Sequence, residues 1–208
     1  MGTSMAFYNI QNKGFSEESL REGLSKINEE VSNRNAAIYE HHNSIGISPF
    51  STTNRAHSAV IAFCETSKWL PMFEENLCEG YNAISKDTTR FSEIFGAPVI
   101  AFSLFDSDVL FVSYSDAEKG VAYDYERSNF GDEEDDDASE YGPYIPGYPE
   151  FLQALCKEDN RDRLRDIWAS TEYVFADDKM ADICDLLGMS VIYDGAEMPE
   201  GYAELYAD

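Results

Sequence analysis

Leu20, Leu24, Ile27 and Val31 recur three or four residues apart, the spacing that lines one face of a helix. Ser16 stands at the N-cap position, and Phe15 before it can pack on Leu20 as a hydrophobic staple, so a helix is predicted to open after Ser16. Residues 34–56 are rich in Ser, Thr and Asn and read as loop, with a short strand around Ile45 to Ile47. The rhythm then changes. Ser58 to Phe63 is an unbroken apolar run and predicts a buried strand. Pro71 suits the first turn of a helical region in which Phe73, Leu77, Tyr81 and Ile84 form one apolar face. Phe91, Ile94 and Phe95 continue that face beyond a break near Ser85 to Thr88, and Gly96 and Pro98 stop it.

Val99 to Phe105 and Val109 to Tyr114 are strongly apolar runs, joined at Asp106-Ser107-Asp108, whose side chains suit a tight hairpin turn. Val121 to Tyr125 follows a second turn, Asp116 to Gly120. The order strand, helix, strand, hairpin strand, strand predicts a right-handed βαβ crossover extended by an antiparallel meander, hence a mixed sheet. The last third is helical. Pro149 opens Glu150 to Cys156, and Asn160 caps a helix carrying Leu164, Ile167 and Trp168. Asp177 or Asp178 caps another, with Met180, Ile183, Cys184 and Leu187 inward and Gly188 at its end. A final strand, Ser190 to Tyr193, is expected at the sheet edge. The expected class is α+β in a single domain, 1–208. Its parts are an N-terminal helix and polar loop (1–56), a sheet core (57–127), a loop (128–148) and a helical C-terminal part (149–208).

Composition sharpens this picture. The 208 residues include 40 Asp and Glu against 15 Lys and Arg, a formal charge of −25. At 43% hydrophobic and 13% aromatic, the chain has the material for a packed core that acidic disordered tails lack. The shortage of Lys and Arg excludes ordinary nucleic-acid binding and disfavours anionic membrane surfaces. No stretch reaches the roughly 18 apolar residues of a membrane span. Met1 to Phe15 has neither a basic nor an apolar leader segment, so a cytoplasmic location is expected. The charge is unevenly placed: residues 1–105 hold 8 basic and 12 acidic residues, net −4, whereas 106–208 hold 7 and 28, net −21. Its densest part is Asp132, Glu133, Glu134, Asp135, Asp136 and Asp137, near Asp124, Glu126 and Glu140. Gly142, Pro143, Pro146, Gly147 and Pro149 mark irregular structure from about Ser128 to Tyr148.

Motifs for common chemistries are missing. There is no GxSxG elbow, no GxxxxGK[ST] or GxGxxG phosphate loop and no HExxH. His41, His42 and His57 all fall in the polar segment before the first predicted strand. Cys64, Cys78, Cys156 and Cys184 form no CxxC pair and read as reduced, packed thiols, with a Cys64–Cys78 disulfide or a zinc site as alternatives. No cofactor is expected. Asp106 and Asp108 are the sharpest carboxylate pair, suited to turn chemistry or to a divalent cation in an enzyme acting on phosphate esters. The acidic run lacks the central Gly and spaced Glu of an EF-hand. It reads as a solvated loop, as a calcium-responsive loop, or as an interface whose aromatic anchors are Tyr125, Phe130 and Tyr141, with Tyr123, Tyr144 and Tyr148 nearby.

The block from Gly96 to Val112 and the later block from Tyr173 to Gly188 resemble a group of uncharacterised bacterial cytosolic acidic proteins. Their features are a strand–Asp-Ser-Asp–strand core, an acidic segment here containing Asn129-Phe130-Gly131, and a terminal helix ending in Leu186-Leu187-Gly188. More loosely, the chain resembles immunity proteins of bacterial polymorphic toxin systems, which are small, acidic and α/β. The resemblance covers about residues 57–190 and brings no functional residues with it. It implies a non-enzymatic binding role, with a basic protein such as a toxin or nuclease as partner.

Overall fold

A computed structural model of the chain describes residues 5–44, 59–74, 84–105, 109–128, 150–170, 172–193 and 196–207. Strands β1 (Met5–Gln11), β2 (Ala59–Phe63), β3 (Trp69–Glu74), β4 (Val99–Phe105), β5 (Val109–Asp116), β6 (Val121–Ser128) and β7 (Ala203–Leu205) form one sheet. Their order is β6-β5-β4-β1-β3-β2-β7, and every neighbouring pair is antiparallel. The helices are α1 (Glu17–Ser44), α2 (Ile84–Phe95), α3 (Glu150–Leu155), α4 (Arg161–Ala169) and α5 (Ala176–Leu187). The α+β class is therefore as expected, but the mixed sheet is not. β1, which the sequence reading did not foresee, inserts between β3 and β4, pairing Asn9 with Pro71 on one side and with Ile100 on the other. The crossover through α2 skips that position, as the crossover through α1 skips β3. This is the split β-α-β connectivity of ferredoxin-like arrangements, here extended by β5 and β6 at one edge and β7 at the other.

Helices cover both faces of the sheet. On one, Leu20, Leu24 and Ile27 of α1 and Ile84, Phe91 and Phe95 of α2 pack on Tyr8, Ile10, Ile61, Leu70, Met72 and Val99. On the other, α3, α4 and α5 place Leu152, Leu164, Ile167, Trp168, Met180, Ile183 and Leu187 on Phe7, Trp69, Ile100, Phe102, Val112 and Tyr114. The same face continues under Ile192, Ala196, Met198 and Tyr202, where Ile192 meets Val60, Ala62 and Phe73. Because both faces are covered, the inner strands read as continuous apolar runs. Phe7 and Phe102, opposite each other in the ladder, stack at 5.6 Å and add on the order of 1 kcal/mol beyond their burial.

Several local signals act as predicted. Ser19 N–H donates to Ser16 Oγ (3.2 Å), the expected N-cap bond, and Phe15 packs with Leu20 in one cluster. Gly188 ends α5 with φ 69°, and Met189 N–H donates to the Cys184 carbonyl (2.9 Å). Others differ. The segment from Trp69 to Glu74 is strand, not a helix opened by Pro71: its ladder with β2 begins only at Met72, one residue after the missing N–H, so proline interrupts nothing there. Helix α1 runs through residues 34–44, which were expected as loop. No Gly or Pro lies between Gly23 and Gly46 to stop it, and His41 and His42 fall in its last turns. The expected strand at Ile45 to Ile47 lies outside the described residues. Ser190–Tyr193 is not a strand; Ala203–Leu205 pairs with β2 instead. Asn160 precedes α4 without a side-chain cap bond, and Asp177 and Asp178 sit in the first turn of α5, whose N-cap position is held by Phe175, likewise without a side-chain cap bond. Val109 opposite Phe105 makes the expected hairpin, with 106–108 as its connection. Among the described residues no helix is long and apolar enough to cross a membrane.

Two positions yield tests. A Cβ on Gly23 would overlap the buried Phe95 ring, which brings α1 against α2. Gly23→Ala is therefore expected to cost about 1–3 kcal/mol despite better helix propensity, and to stabilise by about 0.5–1 kcal/mol in a Phe95→Ala background. Urea unfolding of the four proteins checks this. At the β5–β6 turn, burial pushes the Asp116 carboxyl up, but hydrogen bonds from Lys119 (Nζ at 2.7 Å) and the Lys119 and Lys13 charges hold it below its ordinary value. A lowered folded-state value stabilises above the unfolded value and is lost as pH falls through the folded one. The stability gap between wild type and Asp116→Asn should thus be widest at neutrality and close as the pH falls below about 4, read from unfolding midpoints along a pH series.

Candidate functional site

In β6 the consecutive residues Tyr123 and Asp124 fall on opposite faces of the sheet, as period-two geometry requires. Tyr123 lies opposite Tyr114, and Phe151 of α3 stacks on both rings, at 5.5 and 5.0 Å. Tyr123 remains 41% exposed. Burial, helped by the nearby Asp116 charge, pushes the Tyr114 hydroxyl above its ordinary value. On the opposite face, Asp124 Oδ2 accepts a hydrogen bond from Ser85 Oγ in the first turn of α2 (2.8 Å). β6 is the outermost strand, and among the described residues no strand pairs with its outer side.

Of the residues singled out from the sequence, Tyr125 lies within β6, opposite Val112. Asp106, Asp108, Phe130, Asp132, Glu133, Glu134, Asp135, Asp136, Asp137 and Tyr141 lie outside the described residues, as do Cys78 and His57. Cys64, Cys156 and Cys184 are free thiols. Burial pushes Cys156 and Cys184 up, whereas hydrogen bonding to Thr66 lowers half-buried Cys64. Among the described residues no three of His, Cys, Asp and Glu converge as metal ligands.

Sequence reasoning missed two features. One is a polar island on the sheet face beneath α3–α5: the Asn9 side chain is fully buried, and among the described residues neither its Oδ1 nor its Nδ2 has a hydrogen-bond partner. Trp69, diagonal to it in the β1–β3 ladder, carries a third unpartnered atom, Nε1. An Asn amid aromatic residues in a strand is the signal that would have found it. The other feature is the corner joining α4 to α5. Ser170 closes α4 with N–H bonds to the Asp166 and Ile167 carbonyls, and its Oγ accepts from Glu172 N–H (3.1 Å). Lys179, 1% exposed, donates from Nζ to the Ser170 carbonyl (2.7 Å) and lies over the Tyr173 ring. Tyr173 donates to Asp182 Oδ2 (2.5 Å); burial and that carboxylate push its hydroxyl up to about 12. Between these fixed points Val174 and Phe175 stand 74% and 50% exposed.

The polar island generates a direct test. Asn9→Leu keeps the approximate shape and removes two unmet hydrogen-bonding atoms, so it is expected to raise stability by about 1–2 kcal/mol. A denaturant midpoint equal to or below that of the wild type would refute this. Comparisons of the chain with known protein-family profiles, with curated proteins and with solved structures give no match.

Proposed function

We propose that the chain is a non-enzymatic, anionic protein-binding module whose partner is a basic protein. The observation that carries the reading is the course of the chain at the sheet edge. β6, with its exposed Tyr123, ends at Ser128, and the six-carboxylate run begins four residues later at Asp132. Even fully extended, four residues span at most about 14 Å, so the run is tethered close to an edge strand that itself carries Asp124 and Glu126. Aromatic anchors beside a field of one sign suit an interface in which charge steers the encounter and rings supply contact area. The net −21 of residues 106–208, against −4 before them, makes this a local field rather than a general aid to solubility.

In its more specific form, the module is an inhibitor of the immunity-protein kind, laying its carboxylates over the cationic surface of a nuclease or toxin. The looser resemblance to immunity proteins of bacterial polymorphic toxin systems, in small size, acidity and α/β character, supports that form. Affinity capture with the chain as bait is expected to retain a basic protein. Replacing Asp132, Asp135, Asp136 and Asp137 by Asn, and Glu133 and Glu134 by Gln, is expected to slow its association by about tenfold or more and to flatten the salt dependence. Retention of no basic protein, or an unchanged association rate, would overturn the reading.

A further inference from the structure

We propose that the α4–α5 corner is the anchoring point for such a partner: Val174 and Phe175 form a pre-organised apolar knob that enters an apolar recess bordered by Lys or Arg. The proposal rests on the reading of the chain as a binding module and adds where the contact energy is concentrated and what the partner surface must offer.

Exposure is the first observation. Among the described residues Val174 and Phe175 are the two most exposed large apolar side chains, and they are consecutive. Ala176, next in the chain, is fully buried, so the chain turns two large apolar groups outward and then dives into the core. The second observation is rigidity. Ser170, Tyr173, Lys179 and Asp182 brace the corner from both sides, through the bonds Lys179 Nζ to Ser170 O (2.7 Å) and Tyr173 hydroxyl to Asp182 (2.5 Å). Such bonds on the flanking residues lower the ordering entropy an exposed apolar pair loses on binding, which favours it as an anchor.

Charge decides the occupant. Glu172 and Asp178 are exposed beside the knob, Asp177 is half-buried, and one Asp177 carboxylate oxygen is buried with no hydrogen-bond partner among the described residues. The neighbouring cations are Lys179, buried beneath the corner, and Arg163, whose charge acts on Tyr173 from α4. An apolar knob with an acidic rim fits a recess with a basic rim. A second copy of this chain would bring acid against acid, at a net −25 each.

The test uses the full chain, immobilised, against a phage-displayed library of random peptides. Enriched peptides are expected to combine Lys or Arg with a large apolar residue. Val174→Ser with Phe175→Ser should cut their retention at least about tenfold without lowering the unfolding midpoint, since a serine at the N-cap position of α5 favours the helix. Glu172→Gln with Asp177→Asn and Asp178→Asn should weaken retention and flatten its salt dependence. Enrichment of peptides without basic residues, or equal retention on the Val174→Ser, Phe175→Ser protein, would overturn the proposal. So would a wild-type dimer in sedimentation velocity that the same double substitution dissociates. The variant neutralised at 132–137 runs in parallel: loss of retention there, with none in the corner variant, sinks the corner alone and leaves the broader reading standing.

Discussion

Everything in this architecture depends on β1 lying in the middle of the sheet. Its backbone bonds β3 on one side and β4 on the other, so the two strands that flank α2 in sequence never meet. That one insertion sets the remaining geometry. It makes the sheet antiparallel throughout, directs α1 and α2 to the same face, and leaves the other face to α3–α5. It is also an entropically demanding arrangement, because the first residues of the chain must close loops to segments 60 and 90 or so positions away before the central ladder exists.

Local chemistry made much of the fold legible. Helix α1, the β4–β5 hairpin and α5 follow from periodicity, a serine cap and a C-terminal glycine, each visible within a window of a dozen residues. What escaped was set by partners far along the chain. Phe7, Tyr8 and Ile10 make a short apolar stretch that becomes a central strand only because β3 and β4 receive it. Pro71 looks like a helix opener until the β2 ladder is seen to begin just past it. The three strand residues at 203–205 carry no pattern of their own and owe their conformation to β2.

The candidate site divides along the same line. Charge is additive, so the acidic run and its displacement into the second half of the chain could be counted directly from the sequence. Exposure is not additive. Val174-Phe175 precedes the amphipathic helix α5 with no local signal that sets it apart, yet it stands outward beside the contacts of Lys179 and Tyr173. Asn9 shows the converse, a polar residue that burial on both faces of β1 encloses without a partner. Both departures from the ordinary inside–outside rule sit on or under the α3–α5 side of the sheet.

The packing has a spectroscopic consequence. The chain's two tryptophans, Trp69 and Trp168, belong to the same apolar cluster, that between the sheet and α3–α5. None stands in the cluster beneath α1 and α2. Intrinsic tryptophan emission is therefore a one-sided reporter: it registers the seating of the C-terminal helices on the sheet and is blind to the opposite layer, whose aromatic groups among the described residues are Tyr8, Phe15, Phe63, Phe91 and Phe95. Any loosening of one layer ahead of the other would split the fluorescence signal from the backbone circular dichroism.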